Sequence, residues 1–287
     1  MTVDLPVLDH RVLLAQDFAL LNPSDVDEPM WIALEAQPLG TEQFECDARL
    51  LPRLACLRDI PLALRLECLD LAEARMAQQL PPLFGALLET SESFASLKAR
   101  LGRQLLLRLE RSSRSYFFRY PDPRVFQHLP RIFTDQQLDG FIWPARAWTW
   151  FDGLARTWRR RSVANRPATG LRPVLSLAQI DALARLDLLN RTALKLQADE
   201  LLPAPPSPES LDQLDDLVRR AIVDEALADP DDQIQYAVNA VKFGADVHDV
   251  EAVRRLLGQV RAGEQSYLAG MQELADAGQL APLTTRG

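Results

Sequence analysis

Cysteine and histidine are both scarce, with three of each in 287 residues. Cys46, Cys56 and Cys68 stand 10 and 12 positions apart, with no C-x-x-C pair and no neighbouring histidine. That odd, widely spaced set excludes a disulfide framework and a zinc knuckle, and reads as buried or incidental thiols. His10, His128 and His248 have no carboxylate or cysteine partner at a recognisable spacing. His128 and His248 read as structural or exposed. A serine–histidine–acid triad needs no fixed spacing, so that chemistry stays open. The chain has no G-x-S-x-G elbow, no P-loop and no G-x-G-x-x-G, and no catalytic residue or cofactor site is expected. No apolar run approaches the roughly 18 residues of a membrane span. Residues 1–5 lack a basic segment and a following apolar stretch, so a cytoplasmic protein without a membrane partner is expected.

Charge is present in quantity but unevenly placed. Residues 1–170 hold 21 basic and 21 acidic side chains, so residues 171–287 carry the whole net charge of −8. An acidic half repels phosphates, which argues against nucleic acid as a partner. It suits a basic protein partner or simple solubility. Acidic clusters at Asp212, Asp215 and Asp216 and at Asp229, Asp231 and Asp232 lack the glycine turn of a calcium loop. They read as helix caps and a solvated face, and no metal is expected. Arg156, Arg159, Arg160, Arg161 and Arg166 surround Trp158, and read as solvated or paired with protein carboxylates.

The first half mixes strand and helix signals. Residues 30–34, 54–57 and 86–90 are short apolar runs expected as strands. Pro61 opens a helix to about residue 80, and Pro81-Pro82 stops it. Ser93 is placed to cap a second helix. Residues 105–109 and 116–120 read as two strands joined by residues 111–114. Helical spacing follows in Val125, Phe126, Leu129, Ile132 and Phe133, and Thr134 starts a further short helix. Residues 147–151 and 154–158 read as a hairpin across Asp152-Gly153. Beyond residue 173 the pattern is helical throughout. Ser176 to Gln179 has the form of a capping box, and Ser207-Pro208 and Asp229-Pro230 repeat a helix-start signal. The expected division is an α/β lobe over residues 1–160, a linker over 161–173 and a helical acidic lobe over 174–287. The fold class expected is mixed α/β, a small sheet flanked by helices, followed by an all-α lobe.

The densest feature is Ser115-Tyr-Phe-Phe-Arg-Tyr-Pro-Asp-Pro-Arg-Val125. Proline on both sides of Asp122 restricts the backbone there. Asp122 is expected as a helix N-cap with Pro123 at the first helical position. Arg119 and Arg124 are each placed to form a two-pronged pair with Asp122 or another carboxylate. Asp122, Pro123 and Arg119 therefore read as structural, and Arg124 as either structural or a partner contact. Trp143, Trp148, Trp150 and Trp158 fall within sixteen residues. Strand alternation sends Trp148 and Trp150 to one face. Some of the four must be core, and core is the favoured reading for the group; tryptophan and arginine are also favoured at protein-binding hot spots, so these four and Arg124 are the candidate partner-binding residues.

Residues 118–125, with Leu129, Gln136-Gln137 and the tryptophan strand after them, resemble the adaptor/chaperone domain of bacterial type VI secretion. That family's pattern is close to F-R-F-Y-D-P-R-V-L; Pro121 departs from it. Residues 51–57 are similar to the family's G-P-Y-L-V-x-L strand, and residues 93–101 to its S-x-x-x-L…L helix. The resemblance spans about residues 10–155. It implies a non-catalytic bacterial cytoplasmic protein that binds one toxic effector and helps load it onto the VgrG spike. Protein contact is expected in a cleft between lobes, or at a groove or sheet edge near residues 143–158. Two rivals remain: an enzyme with an unrecognised site, and an immunity-type protein that neutralises a toxin.

Overall fold

A computed structural model describes residues 2–40, 44, 47–108, 115–163 and 174–280. The chain divides into two compact units, Met1–Ile180 and Asp181–Gly287. Cys46, Arg166 and the connection at residues 111–114 lie outside the described residues.

The first unit is built on strands β1 (Thr2–Leu5), β2 (Phe18–Leu21), β3 (Gln37–Pro38), β4 (Arg53–Cys56), β5 (Ala86–Glu89), β6 (Leu106–Arg108), β7 (Ser115–Phe117), β8 (Ala147–Asp152) and β9 (Thr157–Ser162). Seven of them form one antiparallel sheet in the order β1-β9-β8-β5-β2-β4-β3, while β6 and β7 pair with each other. Around them lie helices α1 (His10–Leu14), α2 (Glu28–Ala33), α3 (Leu62–Ala77), α4 (Phe94–Gln104), α5 (Pro123–Phe126), α6 (Leu129–Ile132) and α7 (Asp135–Ile142). The mixed α/β class expected from the sequence is the one observed.

Alternation along the strands builds two core layers. Ala19, Leu21, Ala55, Leu87 and Trp158 point to one face and pack with Leu13 of α1 and Cys68, Leu69 and Ala72 of α3. Phe18, Leu20, Leu88, Trp148 and Trp150, at the alternate positions, belong to the other layer, and all are fully buried. Residues of β2 are buried on both faces, which is why this strand reads as an unbroken apolar run.

Four sequence expectations change. Residues 30–34 are not a strand: Pro29 sits in the first turn of α2, after Asp27 at its N-cap. Phe118 to Tyr120 leave β7 early, because the backbone turns into the Pro-Asp-Pro segment. The hairpin partner of β8 starts at Thr157, because Asp152 Oδ1 accepts the amides of Leu154 and Ala155 at 3.1 and 2.9 Å and holds a longer turn. Arg161 and Ser162, assigned to the linker, complete β9 opposite Trp148 and Ala147; residues 164–173 lie outside the described ones. The arginine run is consumed by carboxylates. Arg159 pairs with Asp152 at 3.2 Å, Arg160 with Glu89 at 2.8 Å, and Arg161 with Asp139 at 2.7 Å and Asp135 at 2.9 Å.

Helix α8 (Leu177–Ala184) spans the division between the units. The second unit continues with α9 (Leu186–Ala198), α10 (Pro208–Val223), α11 (Pro230–Phe243), α12 (Glu251–Arg261) and α13 (Tyr267–Asp276). Ser207 caps α10 and Asp229 caps α11, as their spacing to proline indicated. Asp215 pairs with Arg185 through two bonds of 2.9 Å. Buried Asp232 accepts the amides of Tyr267 and Leu268 at 3.0 and 2.9 Å, tying α11 to the start of α13. The acidic clusters thus hold helix ends and pair with Arg185, Arg191 and Arg219. Among the described residues no group of histidine, cysteine and acid side chains is placed to hold a metal ion.

Two stability outcomes are expected. Arg161 is buried, so Asp139→Ala strips its closest counter-charge and is expected to cost about 3 kcal/mol in denaturant unfolding. An unchanged midpoint would contradict that pairing. His248 is buried, and burial lowers its pKa to about 4 from the ordinary 6.5. The unfolded chain takes up that proton first, so the stability His248 contributes is complete above about pH 6.5 and falls as pH drops towards 4. Replacing His248 by Phe is expected to remove ~2 kcal/mol of the loss between pH 7 and pH 4.5. Parallel stability curves for parent and variant would rule this out.

Candidate protein-binding surface

The Pro-Asp-Pro segment is locked from three sides. Tyr120 is buried and its hydroxyl donates to Leu101 O at 3.0 Å. Burial holds its pKa well above the ordinary value, so it stays a donor. The Pro121 carbonyl lies against Gly85, where a Cβ would stand 2.1 Å from the oxygen. Gly85 also donates its amide to Leu20 O at 2.8 Å, so the turn touches the entry to β5 and the end of β2. Only a residue without a Cβ permits this approach.

Asp122 is the third lock. Its Oδ1 accepts the Arg124 amide at 3.0 Å and caps α5, with Pro123 in the first turn. The Arg124 guanidinium returns to the same carboxylate, Nε to Oδ1 at 2.9 Å and Nη2 to Oδ2 at 2.8 Å. That planar fork is what lysine cannot supply. A second carboxylate, Asp25, stands 3.7 Å from Arg124 Nη2. Asn22 donates to Asp25 Oδ2, and Arg75 donates to its backbone carbonyl at 2.7 Å. Burial raises the Asp25 pKa, and the arginine beside it offsets part of that rise. Arg119 is exposed and forms no ion pair among the described residues. The partner of Asp122 is therefore Arg124, although either arginine fitted the sequence.

An aromatic layer lies beneath the turn. Phe126 stacks on Trp148 with centroids 4.9 Å apart and planes 6° from parallel, and meets Trp150 at 5.1 Å. Phe141 sets its edge against Tyr120 at 4.9 Å. Phe118 and Phe133 complete the group. On the opposite face of the sheet Trp158 donates its indole N–H to Met76 Sδ at 3.2 Å. Trp148, Trp150 and Trp158 are all 0% exposed, so of the two readings the core one holds for these three and they are not partner contacts. They fill a sheet covered on both faces. Of the expected contact residues, Arg124 and Trp143 remain reachable: the Arg124 side chain is 53% exposed and Trp143, which ends α7, is half-buried. His128 is buried beside the turn, and His10 is exposed at the start of α1.

Two exposed aromatics were not singled out from the sequence. Tyr116 and Phe117 on β7 are 42% and 44% exposed, and Phe117 meets Phe44 edge-on at 5.0 Å. The signal was present: four aromatics stand within Tyr116-Phe-Phe-Arg-Tyr120, more than a two-stranded ribbon encloses.

Residues 29–140 match the model of a domain of unknown function (DUF4123). No curated protein and no solved structure matches the sequence. The DUF4123 span runs from α2 into α7. It contains Gly85, Arg119, Asp122, Pro123 and Arg124, and stops short of Trp143 and the tryptophan strand.

Asp122→Ala is expected to lower unfolding free energy by about 1–2 kcal/mol through the lost cap, and Asp122→Asn by less. Gly85→Ala is expected to cost more than either, over ~3 kcal/mol, because backbone must move. Urea unfolding of the three variants orders them; a harmless Gly85→Ala would show that the turn does not seat on β5.

Proposed function

We propose that this protein is an adaptor that binds a toxic effector of bacterial type VI secretion in the cytoplasm and delivers it to the VgrG spike. The observation that carries the reading is the coincidence of the DUF4123 match, residues 29–140, with the motif at residues 118–125 that resembles the secretion adaptors. The upstream helix capped by Ser93 and the helix after the turn stand in the same order as in that resemblance.

The physical division of labour supports a binding role. The aspartate and prolines of the motif hold the turn, while Arg124, Tyr116 and Phe117 present an arginine and two aromatic rings to solvent. Those are residue types that concentrate binding energy at protein interfaces. Arg124 is pre-ordered by its own carboxylate, which limits the side-chain entropy lost on contact.

Capture by the tagged full-length protein from cells shown to express the secretion system is the direct test. One large effector, with or without VgrG, is the expected recovery; no partner from such cells would overturn the proposal. The double variant Tyr116→Ala, Phe117→Ala is expected to cut effector recovery at least about ten-fold, with a melting temperature near that of the parent.

A further inference from the structure

The second unit contains a cavity of about 530 Å³, formed by the end of α10, α11, α12 and the turn before α12. That is within the range of small-molecule sites. Its floor is a pair of rings: Tyr236 and His248 stack with centroids 3.5 Å apart and planes 6° from parallel. Behind them Tyr267 Oη lies 2.8 Å from His248 Nε2 and accepts from Asn239 Nδ2 at 3.3 Å. The Tyr267 hydroxyl thus bridges Asn239 and the His248 ring. The floor is therefore fixed by bonds that face away from the cavity.

The walls carry charge of both signs, and their pairing is informative. Asp249 is matched by Arg254 at 2.7 Å, Glu225 by Arg261 at 3.2 Å and Asp224 by Arg219 at 3.9 Å. Each acid of the wall thus lies within ion-pair distance of an arginine, although Asp224 shares Arg219 with Asp216 at 3.8 Å. Arg220 is left over: its exposed side chain forms no ion pair and no side-chain hydrogen bond with any described residue. Tyr236, whose hydroxyl makes no hydrogen bond with a described residue, lines the same cavity. An uncommitted guanidinium stands out in the half of the protein that carries the whole net charge of −8.

We propose that this cavity binds a carboxylate, with the Arg220 guanidinium as its counter-charge and the Tyr236 hydroxyl as a second donor. A guanidinium presents two parallel N–H groups that match the two oxygens of a carboxylate. One uncommitted arginine balances one negative charge. The three acids of the wall disfavour a doubly charged phosphate. The side-chain carboxylate of a glutamate or aspartate and the terminal carboxylate of a peptide offer the same chemistry. The inference concerns this cavity alone and stands or falls separately from the adaptor reading.

The test is an amide NMR titration of the full-length protein with four probes: N-acetyl-glutamic acid amide, N-acetyl-alanine, N-acetyl-glutamine amide and inorganic phosphate. The expected result is saturable shifts at Arg220, Tyr236 and His248 with at least one of the first two. Saturation by the first assigns the site to acidic side chains, and by the second to terminal carboxylates. Arg220→Gln is expected to weaken binding at least about ten-fold, and Tyr236→Phe, which keeps the ring stack, by a few-fold. The proposal is overturned if neither carboxylate gives saturable shifts, if the neutral glutamine probe or phosphate binds as well, or if Arg220→Gln binds like the parent.

Discussion

Phe126 lies flat on Trp148, and through that contact the Pro-Asp-Pro turn is joined to the centre of the sheet. The turn presents Phe126 because Asp122 starts a helix there, and Asp122 starts a helix because Pro123 and the Arg124 fork fix its carboxylate. The sheet presents Trp148 because β8 sits between β5 and β9, enclosed on both faces. Gly85 closes the loop by admitting the Pro121 carbonyl at the entry to β5. Local backbone stiffness, one cap and one aromatic stack thus join elements that lie far apart in sequence. A packed interior allows little slack, so each member holds the others in register.

This arrangement separates two roles that the motif presents together in sequence. Buried aromatics supply cohesion. The half-exposed arginine and the aromatics of β7 lie at the surface. Arg124 belongs to both groups: one edge of its guanidinium is committed to Asp122 and the side chain is still half exposed. Trp158 and its arginine neighbours are similarly committed. Each of Arg159, Arg160 and Arg161 ends on a carboxylate, so this basic run braces β9 against its neighbours.

What could be read from the sequence follows from the range of the forces involved. Helices with a cap and proline, such as those beginning at Ser207 and Asp229, were legible because the signal is contained within four residues, and the caps at Ser93 and Thr134 are just as local. The cap role of Asp122 was legible for the same reason. Strand β2 was not: Phe18-Ala-Leu-Leu21 is too short to show a period and is buried on both faces. Residues 30–34 looked like such a strand and are a helix, decided by Pro29 just upstream. Which of the four tryptophans are core could not be read locally, because burial depends on which strands lie beside β8, and that is set by residues far away in the sequence. The choice of Arg124 over Arg119, and the need for glycine at position 85, depend on the same distant packing. The cavity of the second unit gathers residues from three helices and left no local trace.

The central claim is that the motif holds the fold while its exposed rim meets a protein partner. Hydrogen exchange on the full-length protein, alone and bound to a captured effector, measures both halves of it at once. The expected result is that β8 amides are among the slowest to exchange in both states, while residues 115–119 and 123–127 gain protection on binding. Protection gained only outside those segments, or fast exchange in β8 of the unbound protein, would contradict it.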